Sequence, residues 1–222
     1  VSTHALALLL AVLRNLARYD RDIHAGNWHF TTAGRIPRAS ELTVGILGLG
    51  RIGKRFAHLS RNLFKRVIAH DPHLIDGDFP AYVERVSREQ LFEQADAVSI
   101  HCLLNDETRG LVGADLLRKM KPGSYLVNTA RGAIIDLDGL TQVVAENRLA
   151  GVGLDVLPVE PVPAGHPLLA DPRVLFTPHA AFYSAESEVE LRRKAAQNIV
   201  TWMQTGRPDY PVVVGNRRAP AA

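Results

Sequence analysis

Four polar side chains that could perform acid–base chemistry follow apolar runs in the second half of the sequence. Arg131 follows the run SYLVNT, and His179 follows RVLFT. Asp155 and Glu160 lie at and just beyond the end of LAGVGLDV. Arginine binds carboxylates through paired hydrogen bonds, and histidine transfers protons near neutral pH. A carboxylate beside the histidine would orient its ring, so these residue types indicate proton transfer next to a bound anion.

A glycine motif, GLGRIG, occupies residues 48–53 between a short apolar run and a helical pattern. In the G-x-G-x-x-G arrangement, Gly48 permits a tight turn, Gly50 lets a pyrophosphate approach the backbone, and Gly53 lets the helix pack closely on the strand. The start of the helix then presents free N–H groups to the phosphates. The motif predicts a dinucleotide site; a glycine-rich turn without a nucleotide is the alternative.

Asp71 closes the next apolar run, about 20 residues after the motif, where dinucleotide-binding proteins carry an acid for the ribose hydroxyls. Its carboxylate would repel the 2′-phosphate of NADP, and the next residues are Pro72 and His73 rather than arginine. We therefore expect the cofactor to be NAD. With NADH bound, Arg131 and His179 would suit reduction of a 2-keto acid: a hydride reaches the carbonyl carbon and the histidine protonates the oxygen.

Each of these four residues has a simpler interpretation when it is taken alone. A histidine after a strand is more often structural or solvated than catalytic. Arg131 could form a surface ion pair, and Glu160 could be a loop charge. Asp155 could cap a turn. The chemical interpretation therefore depends on whether the fold brings these side chains together.

Strand and helix patterns alternate from residue 42 onward. The predicted strands are 42–47, 66–70, 96–101, 124–129, 149–156 and 173–177. The predicted helices are 51–63, a short helix opened by the capping box Ser87–Gln90, and 113–120, 138–147 and 184–204. Six strands separated by crossovers predict an α/β fold with a doubly wound parallel sheet of the Rossmann type. The proline-rich stretch 157–167 is interpreted as a loop.

Composition and charge exclude several classes of protein. The chain has 222 residues, of which 46% are hydrophobic and 22% charged, and its net charge of +3 comes from scattered basic residues. We therefore expect no nucleic-acid surface. The apolar residues 1–15 lack a basic leader and are too short to span a bilayer, so we expect no membrane association and a cytoplasmic location. Their apolar side chains suggest one buried or interface helix face: Leu6, Leu9, Leu10, Leu13 and Leu16.

Cysteine and histidine spacing gives no support for a disulfide or a metal site. Cys102 is the single cysteine, so no intrachain disulfide forms, and it is expected to be a small apolar filler. His70 and His73 flank Asp71, but no third ligand follows. We therefore expect no metal.

Four segments, in this order and spacing, resemble the D-isomer-specific 2-hydroxyacid dehydrogenase family. They are GLGRIG, NTARG at 128–132, LDVLPVEP at 154–161 and TPH at 177–179. HALALLLAVLRN, GNW at 26–28 and HCLLNDETRGLV at 101–112 are also similar, so the resemblance covers most of residues 1–210. HCLLN and TPHAAFYS look like the branch of the C-terminal binding proteins. That branch usually has tryptophan where this chain has Phe182.

The resemblance implies a role for each matched residue. Arg131 would hold the substrate carboxylate and carbonyl, His179 would be the acid/base, and Glu160 would pair with His179. Asp155 would contact the carboxamide side of the nicotinamide. Further cofactor contacts are implied for Arg51, Ile52, Cys102, Thr108, Thr129 and Ala130.

The resemblance also implies a domain organisation. Residues 1–208 would form the NAD-binding domain, in which residues 1–30 supply an inter-domain helix and a dimerisation arm around Trp28. Residues 209–222 would return toward a second, substrate-binding domain that is largely absent from this chain. We therefore expect a homodimer-forming fragment that binds NAD and by itself turns over little or no substrate.

Two functions fit this resemblance. The first is an NAD-dependent enzyme that interconverts a 2-keto acid and a D-2-hydroxy acid. The second is an NAD(H)-sensing scaffold, like the corepressors, whose dimerisation depends on the cofactor. For the enzyme, Phe182 and Tyr183 suggest an apolar wall and hence a keto acid with a hydrophobic side chain; a strong preference for glyoxylate would contradict that suggestion.

Overall fold

A computed structural model describes residues 1–211 of the chain. The chain divides into two compact units, Val1–Ala181 and a second that begins at Phe182. The predicted tail 209–222 therefore falls largely outside the described residues, and its return toward a second domain stays a prediction.

The first unit is built on a parallel sheet, and the described residues contribute seven strands to it. In chain order the strands are β1 (Thr43–Leu47), β2 (Arg66–His70), β3 (Glu84–Arg85), β4 (Ala97–Ile100), β5 (Ser124–Asn128), β6 (Leu149–Leu154) and β7 (Val174–Phe176). Their order across the sheet is β3-β2-β1-β4-β5-β6-β7. The direction of winding reverses between β1 and β4, and open parallel sheets bind ligands at this point. The predicted doubly wound α/β fold is confirmed.

The sequence patterns gave six strands, and β3 is the one they missed. It has two residues, Glu84 and Arg85, which pair with Ile68 and Ala69 of β2. Both side chains are exposed and charged. Short, charged edge strands carry no apolar alternation, and their charges discourage pairing with another chain.

The described residues of the first unit contain seven α-helices, and those that follow the first strand connect successive strands. The seven helices are α1 (Ser2–Leu13), α2 (Leu16–His24), α3 (Arg51–Ser60), α4 (Arg88–Gln94), α5 (Ala114–Arg118), α6 (Leu137–Ala145) and α7 (Pro167–Ala170). The predicted capping box before α4 is confirmed, because Ser87 Oγ accepts the Gln90 N–H at 3.1 Å and Gln90 Oε1 accepts the Ser87 N–H at 3.0 Å. The predicted helix 51–63 ends earlier, at Ser60, and α7 begins at the end of the predicted proline-rich loop.

Two apolar clusters form the core, one on each face of the sheet. The first includes side chains of α1 and α3, and the second includes side chains of α4, α5 and α6. Successive residues of a strand point to opposite faces, so strands such as β1 supply both clusters and are buried along their whole length.

Helix α1 lies in the core, but the predicted apolar face is partly wrong. The buried residues are Ala5, Leu8, Leu9, Val12 and Leu13. Leu6 and Leu10 are only half-buried, and Leu16 is exposed on α2. The helix turns a different face inward because glycines of β6 leave room for it: a Cβ on Gly151 would lie 3.0 Å from Val12 Cβ, and one on Gly153 would lie 3.3 Å from Leu8 Cβ.

The described part of the second unit contains one long helix, α8 (Ala185–Thr205). Ser184 caps its start by accepting the Ser187 N–H at 3.1 Å, and Gly206 ends it with a φ of 71°. The predicted helix 184–204 is therefore confirmed to within one residue. Within residues 1–211, no helix combines the length and the apolarity that crossing a membrane requires.

A half-buried histidine lies directly after β4. The His101 ring is 2.9 Å from Ser99 Oγ through Nε2, and its centroid lies 4.9 Å from that of Phe56. Burial lowers the pKa of His101 to about 3, so the ring is neutral in the folded protein at physiological pH.

We expect His101 to make the protein acid-sensitive. The unfolded chain protonates this histidine near pH 6.5, and the folded chain does not. The free energy of unfolding therefore keeps the full contribution of His101 above about pH 6.5 and loses it as the pH falls toward 3. The loss is about 1.4 kcal/mol per pH unit, or about 2 kcal/mol at pH 5. Urea unfolding between pH 5 and 8 measures it. His101→Gln should flatten the slope, and the exposed His24→Gln should not; equal slopes in all three proteins would contradict the assignment.

Candidate active site

The first glycine of the predicted dinucleotide motif makes the turn after β1. Gly48 has a φ of 91°, and its N–H donates to the His70 carbonyl at 2.9 Å. A Cβ at this position would lie 2.4 Å from the backbone nitrogen of Cys102. Both the positive φ and the close approach require glycine here.

The other two glycines have the predicted surroundings. A Cβ on Gly53 would lie 2.1 Å from the Gly48 carbonyl oxygen, so Gly53 allows α3 to pack against the turn. Nothing lies within 4 Å of a Cβ added to Gly50, which precedes α3 and makes no side-chain cap. Arg51 and Ile52 are exposed in the first turn of the helix. The open space beside Gly50 and the uncapped N–H groups of α3 fit a pyrophosphate.

Asp71 lies directly after β2 and contacts this loop. Its Oδ2 accepts the Leu49 N–H at 2.8 Å, and its Oδ1 accepts the His73 N–H at 3.0 Å. The fold therefore brings the predicted ribose-binding carboxylate to the glycine turn.

His70 Nδ1 lies 3.0 Å from the Val86 carbonyl oxygen. Across residues 1–211, no three histidine, cysteine or acidic side chains are arranged to hold a metal ion.

Cys102 and Thr108 border the loop that follows β4. Cys102 is half-buried against Gly48. The Thr108 hydroxyl donates to the Leu103 carbonyl at 2.6 Å and accepts the Asn105 N–H at 2.8 Å. Thr108 thus closes a turn within this loop, and its predicted contact with the cofactor stays a prediction.

We expect Cys102 to react slowly with iodoacetamide, because burial raises the pKa of its thiol to about 11. At about pH 7.5 its reactive thiolate is roughly 300-fold scarcer than that of an ordinary cysteine, whose pKa is about 8.5. Mass spectrometry of the alkylated native protein measures the rate. The urea-unfolded protein is the control, and equal rates in the two states would contradict a buried thiol.

The NTARG segment after β5 is shaped by a residue that the sequence analysis did not single out. Asn128 is fully buried; its Oδ1 accepts the Ala130 N–H at 3.0 Å, and its Nδ2 donates to the Arg131 carbonyl at 3.0 Å. Arg131 is exposed and donates from Nη1 to the Ala130 carbonyl at 2.7 Å. The Thr129 hydroxyl is buried without a hydrogen-bond partner among the described residues. The predicted cofactor contacts of Thr129 and Ala130 stay predictions.

Gly132 brings this loop against the loop that follows β6. A Cβ on Gly132 would lie 1.9 Å from the Leu157 carbonyl carbon and 2.4 Å from the Pro158 nitrogen. This close approach places Arg131 near Glu160, and it was also missed in the sequence analysis. The glycine of NTARG was its only sequence signal.

His179 and Glu160 form the predicted pair. His179 Nδ1 lies 2.7 Å from Glu160 Oε2, and Glu160 Oε1 accepts the Leu157 N–H at 2.8 Å. Partial burial alone would raise the pKa of Glu160, but the hydrogen bonds from His179 and Leu157 outweigh it and hold the pKa below its usual range. Glu160 is therefore a carboxylate at neutral pH and is suited to orient a protonated imidazole.

The three predicted catalytic residues border one open pocket of about 260 Å³. Its lining includes Arg131, Glu160 and His179, with Leu104, Gly132 and Val156 around them. A second, mainly apolar cavity of about 510 Å³ also borders the Glu160–His179 pair and is lined by Leu157, Val162, Leu169 and Phe176. Residues from three separate loops thus converge at the carboxyl edge of the sheet, as the spacing predicted.

Asp155 is a buried residue whose carboxylate accepts hydrogen bonds from the protein itself. Its side chain is 1% exposed. The carboxylate accepts the Ala180 and Ala181 N–H groups at 2.8 and 2.9 Å and the Thr177 hydroxyl at 2.5 Å. Asp155 therefore holds the segment that carries His179, and its predicted contact with the nicotinamide stays a prediction.

Comparison with known proteins shows the family. A sequence profile described as D-isomer specific 2-hydroxyacid dehydrogenase, NAD binding domain, matches residues 6–181. The chain belongs to this family, and the matched region is its NAD-binding domain, so the cofactor is NAD. A glyoxylate reductase of Aeropyrum pernix is 38% identical over 207 residues, which cover 89% of this chain and 61% of that protein. A glyoxylate reductase of Korarchaeum cryptofilum is 35% identical over 202 residues, with the same coverage.

Solved structures agree with this assignment. The NAD-dependent formate dehydrogenase from Staphylococcus aureus, in complex with NAD, is similar with a TM-score of 0.87 and 31% identity; 96% of this chain and 65% of that chain are covered. D-2-hydroxyisocaproate dehydrogenase gives a TM-score of 0.87 at 28% identity and covers 95% of this chain and 68% of its own. The chain spans about 61% of the length of the two glyoxylate reductases.

Proposed function

We propose that the chain is the NAD-binding part of an oxidoreductase that interconverts a 2-keto acid and a D-2-hydroxy acid. The observation that carries the proposal is the convergence of Arg131, Glu160 and His179 on one pocket. The family and the named activities of the relatives support it, since these include glyoxylate reductase and D-2-hydroxyisocaproate dehydrogenase.

Each residue of the pocket has one task in this reaction. The Arg131 guanidinium binds the substrate carboxylate and so orients the adjacent carbonyl. Glu160 holds His179 through Nδ1, so Nε2 exchanges the proton with the substrate oxygen. NADH, when bound, supplies the hydride to the carbonyl carbon. In reduction, His179 gives its proton to the oxygen and is reprotonated from solvent; in oxidation it accepts that proton.

Two observations support substrates of different size. The similarity to two glyoxylate reductases supports a keto acid as small as glyoxylate. The apolar lining of the 510 Å³ cavity favours a hydrophobic side chain. Phe182 and Tyr183, which suggested an apolar wall in the sequence, are exposed residues at the start of the second unit.

The test is NADH oxidation by the complete gene product with a panel of 2-keto acids from glyoxylate to branched side chains. We expect turnover with at least one acid, and the preferred side chain identifies the substrate class. NADH binding without turnover on any acid would contradict the proposal and favour the NAD(H)-sensing scaffold. The C-terminal-binding-protein branch, with which the sensor was associated, stays a prediction, because the relatives named above are reductases and dehydrogenases.

We also propose that the protein is a cytoplasmic homodimer that assembles through the segment after α2. Trp28 and Phe30 are 85% and 78% exposed in this segment. Aromatic side chains are enriched at protein interfaces, and adjacent exposed ones mark candidate contact surfaces. Analytical ultracentrifugation should show a dimer that Trp28→Ala with Phe30→Ala converts to monomer, and a monomeric wild-type protein in the presence of NADH would contradict it.

A further inference from the structure

We propose that His4 and Thr177 are positioning residues for His179 and act on it through Asp155. The proposal rests on the proposed role of His179 as acid/base. It assigns a function to the amino-terminal part of α1, which lies far from the site in sequence.

A directed chain of hydrogen bonds joins α1 to Asp155. His4 Nε2 lies 2.9 Å from Thr177 Oγ1, and the Thr177 hydroxyl donates to Asp155 Oδ1 at 2.5 Å. Because the hydroxyl has one proton and gives it to the carboxylate, it accepts from His4, which must carry its proton on Nε2. His4 Nε2 is also 3.5 Å from Asp155 Oδ1. The histidine thereby fixes the rotation of the Thr177 hydroxyl.

Asp155 connects this chain to the backbone on both sides of His179. Its carbonyl oxygen accepts the His179 N–H at 2.8 Å, and its two carboxylate oxygens accept the N–H groups of Ala180 and Ala181. Three successive amides are therefore held by one residue. Hydrogen bonds to a buried carboxylate are stronger than those between neutral groups.

The backbone conformation of His179 explains why these hydrogen bonds to Asp155 are needed. Its φ is 54°, a left-handed conformation that residues other than glycine rarely adopt and that persists only when the surrounding structure enforces it. The hydrogen bonds to Asp155 enforce this turn and so direct the imidazole toward Glu160. The Thr177 hydroxyl completes the donor set of Asp155 Oδ1, so its loss would loosen the turn.

Helix α1 gives rigid support to His4, the first residue of this chain of hydrogen bonds. Leu8 and Val12 of α1 pack against Gly153 and Gly151 of β6, the strand that ends just before Asp155. His4 and Asp155 therefore stand on two elements that are packed together. His4 is 28% exposed, so it can be replaced without opening a cavity in the core.

The test uses ¹⁵N-histidine and amide NMR of the complete gene product, together with steady-state kinetics. We expect Thr177→Val and His4→Leu to shift the His179 ring resonances and the amide resonances of Ala180 and Ala181. kcat should fall about 10-fold, with the KM for NADH changed less than about 2-fold, since a small misplacement of a catalytic group affects the chemical step. Thr177→Ser and His4→Gln, which keep the donors, should restore both readouts.

The matched control is His24→Leu, a histidine replacement on the exposed surface of α2. Unchanged His179, Ala180 and Ala181 resonances in both Thr177→Val and His4→Leu would overturn the proposal, whatever the activity. If Thr177→Val does not fold, the resonances of His4→Leu decide the outcome. Because the NMR readout needs no turnover, a protein that reduces no keto acid would refute the proposed function and leave this proposal separately testable.

Discussion

Replacing His179 by alanine is expected to lower kcat about 1,000-fold while NADH still binds with its normal affinity. A positioned acid/base contributes about 10²- to 10⁴-fold to a proton transfer. The ring reaches the 260 Å³ pocket beside Arg131, whereas the cofactor contacts that we propose lie elsewhere, at the glycine loop and Asp71. Steady-state kinetics and NADH fluorescence titration of the complete gene product measure the two effects.

Glu160→Gln separates orientation from proton transfer in the same pair. The amide can still contact His179 Nδ1 but carries no charge, so we expect a smaller loss of kcat, about 10- to 100-fold. His24→Ala, on the exposed surface of α2, should behave as wild type. A His179→Ala protein that retained more than about a tenth of the wild-type kcat would exclude His179 as the proton donor.

Two alanine substitutions in the glycine loop should affect different properties of the protein, namely folding stability and NADH binding. Gly53→Ala is expected to cost at least about 3 kcal/mol of folding free energy, because the new Cβ would lie 2.1 Å from the Gly48 carbonyl oxygen and the backbone must move. Gly50→Ala should change stability by less than about 1 kcal/mol, since its Cβ meets nothing within 4 Å.

Gly50→Ala should instead weaken NADH binding about 10-fold or more, because its methyl group would fill the open space that we propose for the pyrophosphate. Urea unfolding and NADH fluorescence titration of both variants give the comparison. A Gly50→Ala protein that binds NADH normally would show that the cofactor does not approach this turn. A stable Gly53→Ala protein would show that α3 is less closely packed than the structure indicates.

The sheet could be predicted because its central strands are buried on both faces. LTVGIL and SYLVNT are nearly continuous apolar runs, and their ends agree with β1 and β5 to within a residue. The edge strand β3 could not be predicted, since its two charged residues have no apolar pattern. The buried face of α1 was misassigned because the glycines of β6 that receive it are far away in the sequence.

The candidate site could be predicted in its residue types but not in its support. Residues that follow parallel strands must meet at one edge of the sheet, which is why Arg131, Glu160 and His179 converge. The contacts that hold them depend on distances that a sequence does not contain. The approach of Gly132 to Leu157 is one such contact, and the left-handed turn at His179 is another.

The most direct test of the central claim is a stopped-flow experiment on the complete gene product with NADH already bound. On mixing with its keto acid, the fluorescence of bound NADH should decay in the wild type. In His179→Ala, NADH should bind to the same extent and persist about 1,000 times longer. Equal decay in the two proteins, or bound NADH that no 2-keto acid oxidises, would contradict the account of this pocket as a site of hydride and proton transfer.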